Sequence, residues 1–149
     1  MSTADSWFAR TFPVPAPTWV APAVSLALIV GASGRAQDYL TRSAPLAEEG
    51  RGVDVAGFTV WGSLFLALAA AAVAGLAVLW TFHSRWTVLL SHAFGVALHL
   101  AYVLALLQGI PGSGRGVGLV LPPLAAGCVH LVCVGLYVGP RPRKVKAPR

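Results

Sequence analysis

The sequence predicts an all-α integral membrane protein: four transmembrane helices in a small bundle, with short loops and both termini in the cytoplasm. Apolar residues make up 56% of the 149 residues and charged residues only 11%, which is too little charge to cover a soluble domain of this size. The acidic residues all precede position 55. Beyond it, long uncharged runs exceed the roughly 20 apolar residues that a helix needs to cross about 30 Å of hydrocarbon.

Each predicted span rests on one apolar run. The first span covers about residues 17–34 and is the shortest, with Pro22 inside it. A signal peptide cleaved near residues 30–32 is the alternative, but we favour a retained helix because MSTADSWFAR is a poor signal-peptide start. The other spans cover about residues 56–82, 86–110 and 117–139. The start of the last span stays open by several residues, because Pro122 and Pro123 suit a first turn but kink a helix interior.

The distribution of basic residues predicts the orientation. Residues 1–140 form a single transmembrane domain, and residues 141–149 form a basic tail. Basic residues next to a span stay on the cytoplasmic side, so the tail indicates cytoplasmic termini, and the Ala, Gly, Val, Pro and Arg bias suggests a bacterial cytoplasmic (inner) membrane. The tail can also bind anionic lipid, at about 1 kcal/mol per basic residue. Its basic residues are Arg141, Arg143, Lys144, Lys146 and Arg149.

Aromatic residues near the predicted span ends fit the same topology. Tryptophan and tyrosine favour membrane interfaces, where one end of the ring is apolar and the other is wet. We expect Trp19, Trp80, Trp86 and Tyr137 at the inner interface and Trp61 at the outer one. The tail has no aromatic side chains for base stacking, so we do not expect a nucleic acid partner.

The second span contains a run of small residues that predicts close helix packing. Several small-xxx-small pairs occur there, and such pairs let a second helix approach closely. The face serves equally for packing inside the chain or against another subunit, and we favour packing inside the chain. Its residues are Ala67, Ala70, Ala71, Ala74 and Gly75.

Three histidines are the candidate functional residues. His92 and His99 share one face of a helix because they are seven residues apart, and His130 lies at a comparable depth on the next helix. Neutral imidazoles can bind haem b or a transition metal, and Cys133 would add a thiolate ligand. Histidines that only hydrogen-bond inside the bundle are the favoured alternative. His83, beside the Arg85 turn, reads as an interfacial residue and not as a ligand.

Other features exclude several functions. Between residues 55 and 140 only Arg85 and Arg115 are charged, so no buried carboxylate or lysine supports an ion-coupled carrier. No serine or threonine is paired with an acid-base group, because Ser91 and His92 point about 100° apart on a helix. The sequence therefore favours a protein without catalytic activity, and we expect no cofactor unless the histidines bind haem b or a transition metal.

These observations favour an accessory or structural subunit of a larger membrane complex, with lipid and other membrane subunits as partners. The first alternative is a single-haem or metal-binding redox module that uses His99 and His130, with His92 in reserve. The second is a pore-forming protein or passive facilitator. In its small size, few spans and charged tail the chain resembles phage holins, although this resemblance covers architecture and no motif.

Overall fold

The structure, a computed structural model of the chain, describes residues 19–41, 57–109 and 119–138. It contains four helices, which we number in chain order: α1 (Val20–Thr41), α2 (Phe58–Phe82), α3 (Trp86–Gly109) and α4 (Leu121–Val138). Each helix is long and apolar enough to cross a membrane. The predicted number and type of elements are therefore confirmed, and the bundle is all-α. The basic tail lies outside the described residues.

The helices form a closed ring in which neighbours in sequence are neighbours in space. α1 packs on α2, α2 on α3 and α3 on α4, while α4 closes the ring against α1 through the smallest of these four interfaces. Neighbours are antiparallel, because Tyr39 near the end of α1 stacks on Phe65 near the start of α2. Likewise, Arg85 before α3 donates a hydrogen bond to the Tyr137 carbonyl near the end of α4.

The first helix is longer than the predicted span of 17–34. It begins at Val20 and continues to Thr41, because the residues after position 34 still contribute to the core. Ala36 and Tyr39 are buried, whereas Gln37 and Asp38 occupy the exposed side of these last two turns. The sequence suggested an end near residue 34 because polar residues begin there, but an amphipathic turn accommodates them.

The other helix ends agree with the prediction within a few residues. Only residues 83–85 separate α2 from α3, and His83 ends α2 in the left-handed conformation, with φ 55°. The fourth helix begins at Leu121, so Pro122 and Pro123 lie in its first turn. An amide there has no partner within the helix, so proline loses no hydrogen bond.

The small residues of α2 divide between two faces. Gly75 is buried and packs directly on α3, where a Cβ added at Gly75 would lie 2.9 Å from the Val88 Cα. Ala67, Ala70 and Ala74, by contrast, are exposed on the outside of the bundle, and Ala71 is half-buried. The expectation that this face packs inside the chain is thus correct for Gly75 and wrong for the three exposed alanines, because α2 turns Phe65, Leu68 and Ala72 inward instead.

Two of the five residues expected at the membrane interfaces are buried. Trp19, Trp80 and Trp86 are exposed, as a belt position requires. Trp61 and Tyr137, however, are each only 6% exposed. Trp61 packs edge-on against the Tyr102 ring, and Tyr137 stacks on a histidine ring of α3. Spacing along the chain gives the depth of a residue, but not the direction in which its ring points.

Candidate functional site

The three histidines of the helices converge in the middle of the bundle. His92 and His99 extend from α3, and His130 extends between them from α4. The centroid of the His130 ring lies 5.2 Å from that of His92 and 5.2 Å from that of His99. All three are buried, with exposures of 0%, 8% and 2% for His92, His99 and His130. Antiparallel packing of α3 on α4 produces this arrangement, because it places the two helices' histidines at the same depth.

A hydrogen-bonded group that joins three helices surrounds His92. Its Nδ1 is 2.9 Å from the Nδ1 of His130, and its Nε2 is 3.0 Å from the hydroxyl oxygen of Ser25 on α1. That hydroxyl oxygen is also 3.1 Å from the Tyr137 hydroxyl on α4 and donates to the Ala21 carbonyl at 2.8 Å. We call Ser25, His92, His130 and Tyr137 the histidine cluster.

The bond to Ala21 determines where the protons of this cluster lie. A carbonyl can only accept, so the single Ser25 hydroxyl proton points to Ala21, and both His92 Nε2 and Tyr137 must donate to Ser25. In a neutral imidazole the other nitrogen is then an acceptor, so His92 Nδ1 accepts a proton from His130 Nδ1. This assignment leaves His130 Nε2 as an unprotonated acceptor, buried and without a hydrogen-bond partner among the described residues.

Glycine makes the close approach of α3 and α4 possible. A Cβ added at Gly95 would lie 2.5 Å from Cε1 and 2.7 Å from Cγ of His130, which is well inside contact distance. Across the interface, a Cβ at Gly127 would lie 3.3 Å from the His99 Cβ. The missing side chains at these positions leave the space that His130 and His99 occupy.

A second polar group lies toward the other end of the bundle. The Tyr39 and Tyr102 hydroxyls are hydrogen-bonded to each other, and Arg35 Nη1 donates to the Tyr102 hydroxyl at 3.3 Å. The Arg35 guanidinium carbon also lies 5.4 Å from the centroid of the Tyr102 ring, within the range of a cation–π interaction. We call Arg35, Tyr39 and Tyr102 the tyrosine cluster.

A cavity borders the tyrosine cluster on the side where α1 meets α4. Its volume is about 150 Å³, and Arg35, His99 and Tyr102 form its polar lining. Phe65 and small or apolar residues of α1 and α4 form the remainder. The cavity therefore combines one cation, one imidazole and one phenol with apolar walls, which is the general composition of a small ligand site.

The packing gives little support to a metal or haem site. No group of three or more His, Cys, Asp or Glu side chains has the arrangement of a metal site in the ranges 19–41, 57–109 and 119–138. Cys133 is buried among Leu76, Val88 and Tyr137. The ring centroids of His99 and His130 are only 5.2 Å apart, which leaves no room for a macrocycle between the two imidazoles in this packing.

The remaining candidates have ordinary local roles. His83 is exposed in the turn between α2 and α3, and the Ser91 hydroxyl donates to the Val88 carbonyl of its own helix at 2.8 Å. No described residue makes Ser91 a nucleophile of the kind an acyl-transfer enzyme needs.

Sequence reasoning missed Ser25, Arg35 and Tyr39 as members of these clusters. All three are on α1, the helix whose end was placed too early. Their spacing contains a signal, because Arg35 and Tyr39 are four residues apart and so share one face of a helix.

Comparison with known protein families, curated proteins and solved structures found no match to the chain.

Proposed function

We propose that this chain is a non-catalytic accessory subunit of a larger assembly in a bacterial cytoplasmic membrane, with four spans and both termini in the cytoplasm. The basic tail supports the orientation, by the preference of Lys and Arg for the cytoplasmic side. One structural observation carries the functional part of the proposal: a seam of small residues runs along the outward side of α2, flanked by the larger exposed side chains of Leu66 and Val73.

This outward face forms a continuous seam along α2. Its exposed members follow one another at alternating steps of four and three residues, the spacing that keeps side chains on one side of a helix. They are Ser63, Ala67, Ala70, Ala74 and Ala77. The neighbouring helix α3 also exposes small residues, Ala93 and Ala97 among them, but Leu90, Leu100 and Leu104 are exposed along the same helix.

Small side chains on an outer surface allow another backbone to approach closely. In lipid, helices associate through van der Waals packing and not through the hydrophobic effect, so small residues mark the faces where helices come closest. The seam consists entirely of residues that are exposed in the described part of the chain. It therefore offers a partner helix a groove, whereas the leucines of α3 suit contact with lipid tails.

Site-specific photo-cross-linking tests this proposal in cells that express the full chain. We expect benzoylphenylalanine at Ala70 to give one adduct of defined mass, and the same probe at Leu104, which is also exposed but lies on α3, to give none. Ala74→Leu should abolish the Ala70 adduct, because a large side chain holds the partner helix away. Absence of any adduct from Ala70, or equal adducts from Ala70 and Leu104, would refute the proposal.

Two other functions would replace it if their signatures were observed. The convergence of His99 and His130 makes the redox module testable by the visible absorption spectrum of purified protein before and after dithionite. A Soret band lost in His99→Ala or His130→Ala would establish that function. A pore-forming protein would instead arrest growth and admit dye when its expression is induced.

A further inference from the structure

The cavity between α1 and α4 contains a pair of polar groups that no function described above uses. Arg35 and His99 both line it. We propose that the cavity binds the carboxyl head group of a single-chain amphiphile such as a long-chain fatty acid. The head group lies between Arg35 and His99, and the alkyl chain extends outward between α1 and α4.

The hydrogen-bonding state of His99 is the first support. Its Nδ1 donates to the Gly95 carbonyl of its own helix at 2.8 Å, because a carbonyl can only accept. In a neutral imidazole Nε2 is then an unprotonated acceptor. No hydrogen bond joins this nitrogen to any described residue, although the side chain is only 8% exposed. The cavity thus presents an acceptor that lacks a donor.

The charge of Arg35 is the second support. The guanidinium group uses one N–H on Tyr102 and has others to donate. None of the described residues that line the cavity is acidic. A cation beside an apolar cavity favours an anionic or acidic oxygen ligand, and arginine matches the geometry of a carboxyl group.

A carboxylic acid satisfies both groups at once. One of its oxygens accepts from the Arg35 guanidinium, and its single acidic proton is shared with His99 Nε2. An alcohol would leave Arg35 with a neutral acceptor only. A phosphate monoester carries up to two negative charges, of which the single Arg35 guanidinium balances only one. The donor at Arg35 and the acceptor at His99 are therefore matched best by a carboxyl group.

The size and position of the cavity fit the head of an amphiphile and not a whole lipid. A volume of about 150 Å³ accepts a group of roughly benzene size, which corresponds to a carboxyl group and a few methylenes. Gly31 and Pro122 line the cavity and are themselves exposed, so it opens outward through the smallest interface of the bundle. Pro122 lies in the first turn of α4 and Gly31 in the middle of α1, so the opening extends from one end of the bundle toward its middle.

Two exposed glycines of α1 provide a matched test. A Cβ at either Gly31 or Gly34 would have no atom within 4 Å, so the fold tolerates larger residues at both. Only Gly31 lines the cavity.

The probe is [1-¹³C]palmitic acid, which is titrated into the purified full chain in micelles. Binding is followed by the ¹³C signal of the carboxyl carbon, and 1-hexadecanol and hexadecyl phosphate serve as competitors.

We expect one saturable site for palmitate. Gly31→Leu and Arg35→Gln should each weaken binding at least about tenfold, whereas Gly34→Leu should leave it unchanged, and neither competitor should displace palmitate. Should Gly31→Leu fail to elute as folded protein, Ala126→Leu in the cavity wall and Ala125→Leu outside it repeat the comparison.

Three results would overturn the proposal. They are the absence of saturable palmitate binding, equal binding by the Gly31→Leu and Gly34→Leu variants, and displacement by hexadecanol or hexadecyl phosphate as effective as by unlabelled palmitate. Displacement by hexadecanol would indicate a site for the alkyl chain alone, and displacement by hexadecyl phosphate would indicate a site for anions in general. The cross-linking test of α2 addresses another face, so either proposal can fail without the other.

Discussion

Replacing Gly95 by alanine should destabilise the bundle through a single contact. The added Cβ would lie 2.5 Å from Cε1 of His130, a ring that is only 2% exposed and already hydrogen-bonded. The ring must therefore move, and its hydrogen bond to His92 is lost or lengthened. Gly95→Ala thus tests both the packing of α3 on α4 and the histidine cluster.

The expected magnitude follows from three contributions. Overpacking a well-packed site costs about 1–3 kcal/mol, and loss of one hydrogen bond costs about 0.5–1.5 kcal/mol. Alanine in place of a helical glycine returns about 1 kcal/mol. We therefore expect Gly95→Ala to lower the free energy of unfolding by about 2 kcal/mol, as measured by reversible denaturation with sodium dodecyl sulfate in mixed micelles.

Gly34→Ala is the matched control, because its Cβ meets nothing within 4 Å. It should leave stability unchanged or raise it by up to about 1 kcal/mol. In a His130→Ala background the Gly95→Ala substitution should lose its penalty, since the ring that it strikes is gone. Equal stabilities of Gly95→Ala and Gly34→Ala would refute the close contact between α3 and α4.

Three further predictions concern the α2–α3 interface and the histidine cluster. Gly75→Ala should cost about 2 kcal/mol in the same assay, because its Cβ would lie 2.9 Å from the backbone of Val88; a neutral effect would contradict that approach. Ser25→Ala should cost more than Tyr137→Phe, because it leaves a buried imidazole N–H without an acceptor, a penalty of about 1–3 kcal/mol; the reverse order would show that Tyr137 carries the cluster. In ¹⁵N spectra of histidine-labelled protein, His130 should be protonated at Nδ1 and bare at Nε2, and the opposite tautomer would disprove the assigned proton positions.

The sequence predicted the elements of the fold much better than their faces. Apolar runs predict four helices because each run must be long enough to cross hydrocarbon, a requirement visible in one dimension. The direction of a side chain depends on how helices rotate against each other, so Trp61 and Tyr137 were expected at the surface and are buried. An all-apolar helix has little polar periodicity to indicate its inner face.

The candidate site was predicted in part for the same reason. Periodicity placed His92 and His99 on one face, and depth matched His99 to His130, all of which the structure brings together. The contributions of Ser25 and Arg35 were missed, because a single hydroxyl or guanidinium on a separate helix has no pattern of its own. Its partner is defined only by the tertiary packing.

The two clusters also have a consequence for the register of α1. Ser25 bonds to His92 and Tyr39 bonds to Tyr102, and these two α1 residues are separated by about 21 Å along the helix axis. Apolar helix surfaces of alanine and leucine would tolerate a slide of one turn with little change in packing. Such a slide, or a rotation of α1 about its axis, would break both polar connections together. The hydrogen bonds of Ser25 and Tyr39, far apart on the same helix, therefore fix a single register and rotation of α1, whereas its apolar surface alone would allow several.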